Sequence, residues 1–380
     1  MDDVYHIDRQ LLFQDVRRVV VKLGTRMVTV HDNALNIPLI ETLAADIALL
    51  MQQGIQVAVV SSGAVGAGMG RLGLSRRPLN LSELQATASV GQGLLMNAYK
   101  LAFREHDIPV GQVLLTSEDF DNRRRYVNAR NTLDVLFRYQ AVPVINENDS
   151  VAVEELQLSV GENDWLSAMV AHMVDASLLV ILTDVDGLYS DHPGRNEQVD
   201  LIPVVHEITP ELMSRAGAPG SGVGQGGMAT KLKAAKSVTK GGRMMVIANG
   251  LTTRMTDIVS GHEIGTLFLA DQCRLTDRKL WIVNTRSKGA VVVDDGAVEA
   301  LGARGKSLLP SGVLEVVGEF YAGELVGVED RHRVEIARGL VRYHSESLKR
   351  ILGKKTSEVA SILNVPTGKE VIHRDDMVVF

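Results

Sequence analysis

Short runs of apolar, mostly β-branched residues alternate with helical patterns along the first two thirds of the chain. The runs are Val19–Val21, Val57–Val60, Val110–Leu115, Val142–Ile145, Leu178–Leu182 and Met244–Ala248. A strand that is apolar on both faces is typical of a sheet covered on both sides, and the helical segments between the runs supply the two covering layers. The pattern predicts an α/β fold with a mainly parallel sheet sandwiched by helices.

The pattern changes after about Leu275, where short alternating strands are separated by turns rich in Gly and Asp. Strands are predicted at 289–293, 312–317, 324–328 and 335–342, with short helices near 297–301 and 345–352. This region predicts a small β-rich domain. We place the boundary at Ala270–Thr276 and predict two domains, residues 15–269 and 276–380.

Composition excludes several classes of protein. The formal net charge of −6 gives no general attraction to nucleic acids or anionic membranes. The single cysteine, Cys273, excludes an intrachain disulfide. The sequence has neither a basic N-terminal region followed by an apolar segment nor an uncharged apolar stretch of roughly 18 residues. We therefore expect a cytoplasmic protein that does not span a membrane.

Two groups of residues at predicted strand ends are suited to phosphate binding. Lys22 lies at the end of the first strand and is followed by Gly24 and Thr25, so its ammonium can reach a phosphate beside exposed backbone N–H groups. Ser61–Gly68 is a run of small residues after the second strand, and a helix beginning there would offer N–H groups to an anion. A surface lysine and tight helix packing are the alternative explanations.

Two further groups lie farther along the chain. Asn146–Ser150 and Gly161–Asp164 are rich in amides and carboxylates, which can bind a substrate ammonium group and orient lysines; turn chemistry is the alternative. Thr183 and Asp184 end a later strand. Gly224–Lys231 is a glycine-rich loop entering a helix, which indicates either an anion site or a flexible loop.

Taken in this order, these residues resemble the amino-acid kinase family and, within it, the glutamate 5-kinases. The matching stretches are VVKLGT (20–25), SSGAVGAG (61–68), residues 114–133, PVINENDSVA (143–152), GENDWLSAMVA (161–171), LTDVDGLY (182–189) and GGMATKLKAA (226–235). RYHSESLKRILG (342–353) and HRDDMV (373–378) resemble the PUA domain that many of these enzymes carry.

The resemblance implies transfer of the γ-phosphoryl group of ATP to the side-chain carboxylate of L-glutamate. The product is γ-glutamyl phosphate, the first intermediate of proline synthesis. Lys22 and Lys231 are then expected to stabilise the transferring group, and Asp164 to position them. The residues expected to bind glutamate are Ser62, Asp149 and Asn163. The residues expected to bind ATP are Thr183, Asp184, Gln225, Gly226, Gly227, Met228, Ala229, Thr230 and Lys231.

The family also implies Mg²⁺ as a cofactor, a homo-oligomer and, in many members, feedback inhibition by proline. No side chain is assigned as a metal ligand. Two other functions are considered. Another kinase of the same fold would act on aspartate, acetylglutamate, carbamate or a nucleotide, but the VINEND and GEND stretches and the PUA-like tail argue against it. An RNA-binding protein is disfavoured because residues 276–380 hold 16 Lys and Arg against 15 Asp and Glu.

Overall fold

The computed structural model describes residues 7–152, 162–191, 199–216, 227–271, 277–285, 287–302, 304–364 and 370–380. The chain divides into two compact units, Met1–Arg274 and Leu275–Phe380. Most of the predicted boundary segment, Ala270–Thr276, lies outside the described residues, so the predicted domain limits stay a prediction.

The first unit alternates strands with helices. Its helices are α1 (Arg9–Phe13), α2 (Thr25–Val28), α3 (Ile37–Gln52), α4 (Ala64–Leu72), α5 (Leu81–Arg104), α6 (Ser117–Asp121), α7 (Arg123–Arg138), α8 (Glu162–Met173), α9 (Pro210–Ala216), α10 (Met228–Lys240) and α11 (Met255–Val259). Its strands are β1 (Arg18–Leu23), β2 (Gln56–Ser61), β3 (Val110–Leu115), β4 (Val142–Glu147), β5 (Leu178–Thr183), β6 (Val204–Val205), β7 (Met244–Asn249) and β8 (Thr266–Phe268).

These strands form one sheet in the order β3-β4-β2-β1-β5-β7-β8-β6. Neighbouring strands pair in parallel, except for β7 and β8, which are antiparallel. The prediction of a mainly parallel sheet is confirmed. Because β4, β2, β1 and β5 are parallel neighbours, their carboxyl ends meet at one edge of the sheet, which is where ligands bind in open α/β sheets.

Helices cover both faces of this sheet, as the apolar runs predicted. Val19 and Val21 belong to a buried cluster that includes side chains of α3 and α5. Val20 belongs to a second cluster, which includes side chains of α7, α8 and α10. Successive residues of a strand point to opposite faces. The side chain of Lys22 therefore enters the layer of α8 and α10, on the same face as Val20.

Two glycines allow helices α4 and α5 to pack in backbone contact. A Cβ atom added at Gly91 would lie 1.8 Å from the carbonyl oxygen of Ala64, and one added at Gly68 would lie 1.9 Å from that of Thr87. Any larger residue would force the helices apart. The sequence predicts a long helix over Leu84–Phe103, and the structure confirms it with bounds Leu81–Arg104.

Some elements of the first unit were not predicted. Strands β6 and β8 have two and three residues, which is too short for an alternating pattern to show. The segment Glu154–Gly161 interrupts the alternation of strands and helices in the sequence, which predicts a small hairpin there; this segment lies outside the described residues.

The second unit has its own sheet. Its elements are α12 (Asp277–Asn284), β9 (Gly289–Val293), α13 (Asp295–Gly302), β10 (Val313–Gly318), β11 (Leu325–Glu329), β12 (Glu335–Val341), α14 (Ser345–Arg350), α15 (Thr356–Leu363) and β13 (Ile372–Val379). The strand order is β10-β9-β11-β12-β13, with β9 and β11 parallel and the other pairs antiparallel.

The four strands predicted in this unit are confirmed, but β13 was missed. Its central residues, His373 to Asp376, are polar or charged and interrupt the apolar alternation that marks a strand. Helices α12 and α15 were also missed. In the part of the chain that the structure describes, no helix is both long and apolar enough to cross a bilayer.

Candidate active site

A buried carboxylate between two lysines lies at the carboxyl edge of the large sheet. Lys22, on β1, places its Nζ 2.6 Å from Oδ1 of Asp164, in the first turn of α8. Lys231, in the first turn of α10, places its Nζ 3.4 Å from Oδ2 of the same carboxylate. Lys22 and Asp164 are only 5 % and 1 % exposed, so water screens their attraction weakly. The three predicted catalytic residues are therefore brought together.

A threonine completes the contacts of this carboxylate. Thr230 Oγ1 donates a hydrogen bond of 2.8 Å to Asp164 Oδ2. Asp164 thus accepts from Lys22 on one oxygen and from Thr230 and Lys231 on the other. Thr230 was expected from the sequence to bind ATP, and its contact with Asp164 was not predicted.

Burial and charge act in opposite directions on these groups. Burial alone would raise the pKa of Asp164, but the positive charges of Lys22 and Lys231 outweigh it and hold the pKa below its ordinary value. Burial lowers the pKa of Lys22, as does the charge of Lys231, while Asp164 opposes the shift. The cluster therefore contains one carboxylate and two amines, and it carries a net charge of +1 when both lysines are protonated.

An amide cluster adjoins this carboxylate. Asn163 precedes Asp164 on α8, and its Nδ2 donates to Ser62 Oγ at 2.7 Å and to Asn146 Oδ1 at 3.1 Å. The same Nδ2 lies 3.2 Å from the carbonyl oxygen of Ser61. One side chain therefore connects the ends of β2 and β4. Of the predicted glutamate-binding residues, Ser62 and Asn163 are in direct contact.

The backbone at Ser62 is held by buried hydroxyl groups. Tyr99, on α5, donates to Ser61 Oγ at 2.9 Å, and Ser61 Oγ donates to the carbonyl oxygen of Ser62 at 3.0 Å. Burial raises the pKa of Tyr99, which keeps its hydroxyl protonated as a donor. Gly63 follows with φ +106°, a conformation that favours glycine, and α4 begins at Ala64. Tyr99 was not predicted, because its position resembles any core aromatic.

Asp149, the third residue predicted to bind glutamate, lies half-buried in the turn after β4. The turn is attached to α5 at two points: Ser150 Oγ lies 2.9 Å from Ser89 Oγ, and Gln85 Nε2 donates to the carbonyl oxygen of Ala152 at 3.1 Å. Asp149 lies just after β4, the strand that carries Asn146.

Thr183 and Asp184 lie where β5 ends. Strand β5 pairs with β1 on the side opposite to β2. Thr183 Oγ1 donates to Asp184 Oδ1 at 3.1 Å, and Arg26 Nη1 donates to Asp184 Oδ2 at 3.2 Å. Partial burial would raise the pKa of Asp184, but the Arg26 hydrogen bond and the other donors hold it below its ordinary value. Arg26, which belongs to α2, was not predicted as a site residue.

The predicted nucleotide loop is described in part. Gln225 and Gly226 lie outside the described residues. Gly227 precedes α10, and its carbonyl oxygen lies 3.0 Å from Thr230 Oγ1 and 3.5 Å from Lys231 Nζ. Met228 and Ala229 form the first turn of α10 and are half-buried. The N-terminus of this 13-residue helix thus lies at the two-lysine cluster.

Within the described ranges, no group of three or more His, Cys, Asp or Glu side chains is placed to hold a metal ion. Two lysines and a carboxylate converge at this edge, next to amides and hydroxyls. Such a set can bind anions and stabilise negative charge that develops on a transferring phosphoryl group.

The large sheet and its edge residues correspond to a known family. Residues 17–249, well over half of the chain, match the amino acid kinase family. The chain belongs to the amino acid kinase family. Residues 289–363 match the PUA domain, and this range includes strands β9 to β12 of the second sheet.

Relatives of this amino acid kinase are similar over nearly its whole length. The glutamate 5-kinase of Geobacter sulfurreducens is 46 % identical over 98 % of this chain and 100 % of that protein. That of Geobacter metallireducens is 48 % identical with the same coverage. That of Caldanaerobacter subterraneus subsp. tengcongensis is 46 % identical over 95 % of this chain and 97 % of that protein. The resemblance to glutamate 5-kinases with a PUA domain is confirmed.

Proposed function

We propose that this chain transfers the γ-phosphoryl group of ATP to the side-chain carboxylate of L-glutamate, which yields γ-glutamyl phosphate and ADP. The observation that carries the proposal is the buried carboxylate of Asp164 between Lys22 Nζ and Lys231 Nζ. The names of the full-length relatives support glutamate as the acceptor.

The two lysines answer the main physical difficulty of this reaction. The acceptor carboxylate and the polyphosphate are both anions, and each pair of unit charges at about 4 Å contributes roughly 4 kcal/mol at an effective dielectric of about 20. Lys22 and Lys231 offset this repulsion. Asp164 holds both ammonium groups in place before the substrates bind, so little reorganisation is needed during transfer.

No protein base is required to activate the acceptor. A glutamate side chain has a pKa near 4.3 and is already ionised at neutral pH. Catalysis then rests on alignment and charge stabilisation. We assign glutamate binding to Ser62, Asn163 and Asp149, and ATP binding to Thr183, Asp184 and the loop 225–231.

Mg²⁺ is proposed to enter as part of the MgATP substrate, because phosphate oxygens are ligands that Mg²⁺ prefers. A homo-oligomer and feedback inhibition by proline follow from the sequence resemblance and stay predictions, as does the cytoplasmic location expected from the sequence itself. A nucleic-acid partner for the PUA unit is not proposed.

A substrate panel tests the proposal. The purified protein is incubated with ATP, Mg²⁺ and hydroxylamine, which traps acyl phosphates as hydroxamates. L-Glutamate, L-aspartate, N-acetylglutamate, carbamate and UMP are compared, with nucleotide products measured directly. Hydroxamate from glutamate alone supports the proposal. If another acceptor is phosphorylated and glutamate is not, the assignment of glutamate as substrate is wrong, while the proposed phosphoryl transfer stands.

A further inference from the structure

Helix α5 contributes a glutamine, Gln92, to the amide cluster at the end of β4. Asn146 Nδ2 donates to Gln92 Oε1 at 2.8 Å. Asn146 Oδ1 in turn accepts from Asn163 Nδ2, which also donates to Ser62 Oγ. The hydrogen bonds therefore connect Ser62, Asn163, Asn146 and Gln92 in a chain: Asn163 donates to both Ser62 and Asn146, and Asn146 donates to Gln92. We call these four residues the amide relay.

The orientation of the amide groups in the relay depends on Gln92. A side-chain amide has a donor end and an acceptor end, and a half-turn of the amide exchanges them. Because Gln92 presents its oxygen, Asn146 turns its NH₂ group towards α5 and its oxygen towards Asn163. Asn163 then directs its own NH₂ group to Asn146 Oδ1, and the same group donates to Ser62. Its carbonyl oxygen, Oδ1, accepts no hydrogen bond within the described part of the chain and is left for a donor such as the ammonium group of an amino acid.

The other end of the Gln92 amide is unusual. Its Nε2 is buried and makes no hydrogen bond to any described residue. Leaving a buried donor unpaired costs on the order of 1–3 kcal/mol. The folded protein therefore retains a polar residue where an apolar residue of the same size would avoid that cost, and such a group needs a functional explanation.

Close packing of α5 accompanies the contact between Gln92 and the end of β4. Its neighbour Gly91 lets α5 approach α4 so closely that a Cβ atom there would lie 1.8 Å from the Ala64 carbonyl oxygen. Gln92 follows Gly91 on the same helix and reaches Asn146 on β4. The same helix also contacts the turn that carries Asp149, through Gln85 and Ser89.

We propose that Gln92 is a positioning residue for the amino-acid acceptor. It fixes the orientation of the Asn146 and Asn163 amides, so that Asn163 and Ser62 face the acceptor with the correct polar groups. The inference deepens the proposed function and rests on it. Gln92 acts through Asn146 and is not assigned a contact with the phosphates.

The test is the Gln92→Met variant, which keeps the length of the side chain and removes both ends of the amide. The KM for glutamate should rise at least about 10-fold, while the KM for ATP stays within about twofold and kcat within about threefold of wild type. The matched control is Gln56→Met. Gln56 is also half-buried and accepts a hydrogen bond from Arg18, at the opposite edge of the sheet, so its KM for glutamate should not change.

A double-mutant cycle separates positioning from a general structural effect. If Gln92 acts through Asn146, Gln92→Met should add little to the KM increase caused by Asn146→Ala, whereas independent effects would multiply. If Gln92→Met does not fold, the Gln92→Asn variant replaces it. The KM for glutamate should rise in this variant as well, because an amide one methylene shorter cannot reach Asn146. An unchanged glutamate KM in a folded variant, or multiplicative effects, would overturn the inference and leave the proposed function standing. No glutamate activity in the wild type would overturn both.

Discussion

Lys22 Nζ and Asp164 Oδ1 lie 2.6 Å apart, and both side chains are almost completely buried at the carboxyl edge of the large sheet. Removing one partner of a buried ion pair leaves the other charge uncompensated, which is strongly destabilising. The chain keeps this pair where a core apolar residue would pack without the desolvation cost. In our account the pair persists because it holds a cation where phosphoryl transfer occurs.

The Asp164→Asn substitution should impair both stability and turnover. The amide keeps the shape of the side chain but leaves Lys22 and Lys231 facing each other without a negative charge. We expect the free energy of unfolding to fall by about 3 kcal/mol and kcat to fall at least about 100-fold. Urea unfolding and steady-state kinetics measure the two effects; a variant with wild-type turnover would remove Asp164 from the mechanism.

The same substitution makes a prediction about pH. The pKa of Asp164 lies below its ordinary value of about 3.9, so its ionisation stabilises the folded state above that pH. This contribution is lost as the pH falls through the lower, folded-state pKa. The stability difference between wild type and Asp164→Asn should therefore be constant near neutral pH and shrink below about pH 4. A difference that grows on acidification contradicts the assigned ionisation.

Two lysines on helix α10 offer a matched comparison. Lys231 contacts Asp164, whereas Lys233, two residues along, is exposed. Lys231→Met should lower kcat about 100- to 1,000-fold, because one preorganised cation at the transferring phosphoryl group is lost. Lys233→Met should leave kcat within about twofold. Equal effects of the two substitutions would show that Lys231 has no special role.

Asp149→Asn should act on glutamate affinity. A charge-assisted hydrogen bond to the substrate ammonium is worth roughly 1.5–3 kcal/mol, which corresponds to a KM increase of about 10- to 100-fold. The KM for ATP serves as the internal control and should change little. If the glutamate KM is unaltered, the assignment of Asp149 to the substrate is wrong.

The two glycines that flank Gln92 on α5 test the close packing of this helix against α4. Gly91→Ala would place a methyl group 1.8 Å from the Ala64 carbonyl oxygen, whereas Gly93→Ala meets nothing within 4 Å. We expect Gly91→Ala to destabilise the fold by at least about 2 kcal/mol and Gly93→Ala to stabilise it by about 0.5–1 kcal/mol. Thermal or urea unfolding checks both, and loss of stability in Gly93→Ala alone would contradict the packing described.

The sequence predicted the strands and helices whose patterns are long and regular. The run at Val19–Val21 required a buried strand, and Lys22 at its end indicated the catalytic edge before any contact was known. Strand β13 was hidden because its polar residues, His373 to Asp376, do not alternate with apolar ones. Local pattern is informative only where burial is regular along the chain.

Contacts between distant segments could not be predicted from pattern alone. Gln92 reads as one polar residue of an amphipathic helix, and its bond to Asn146 depends on how closely α5 approaches the sheet. Thr230 likewise reads as part of a helix N-terminus, although its hydroxyl donates to Asp164, 66 residues earlier. Such contacts depend on how helices and strands pack. A single sequence gives little indication of this packing, apart from residues such as Gly91, which permits close approach of two helices.

The most direct test of the account is the formation of γ-glutamyl hydroxamate from L-glutamate, MgATP and hydroxylamine by the wild type and by Lys22→Met. The methionine retains the volume of the lysine stem but carries no charge. We predict product from the wild type and a loss of at least about 100-fold in the variant, with Lys233→Met behaving like the wild type. Hydroxamate formation at the wild-type rate by folded Lys22→Met would contradict the central role of the Lys22–Asp164 pair.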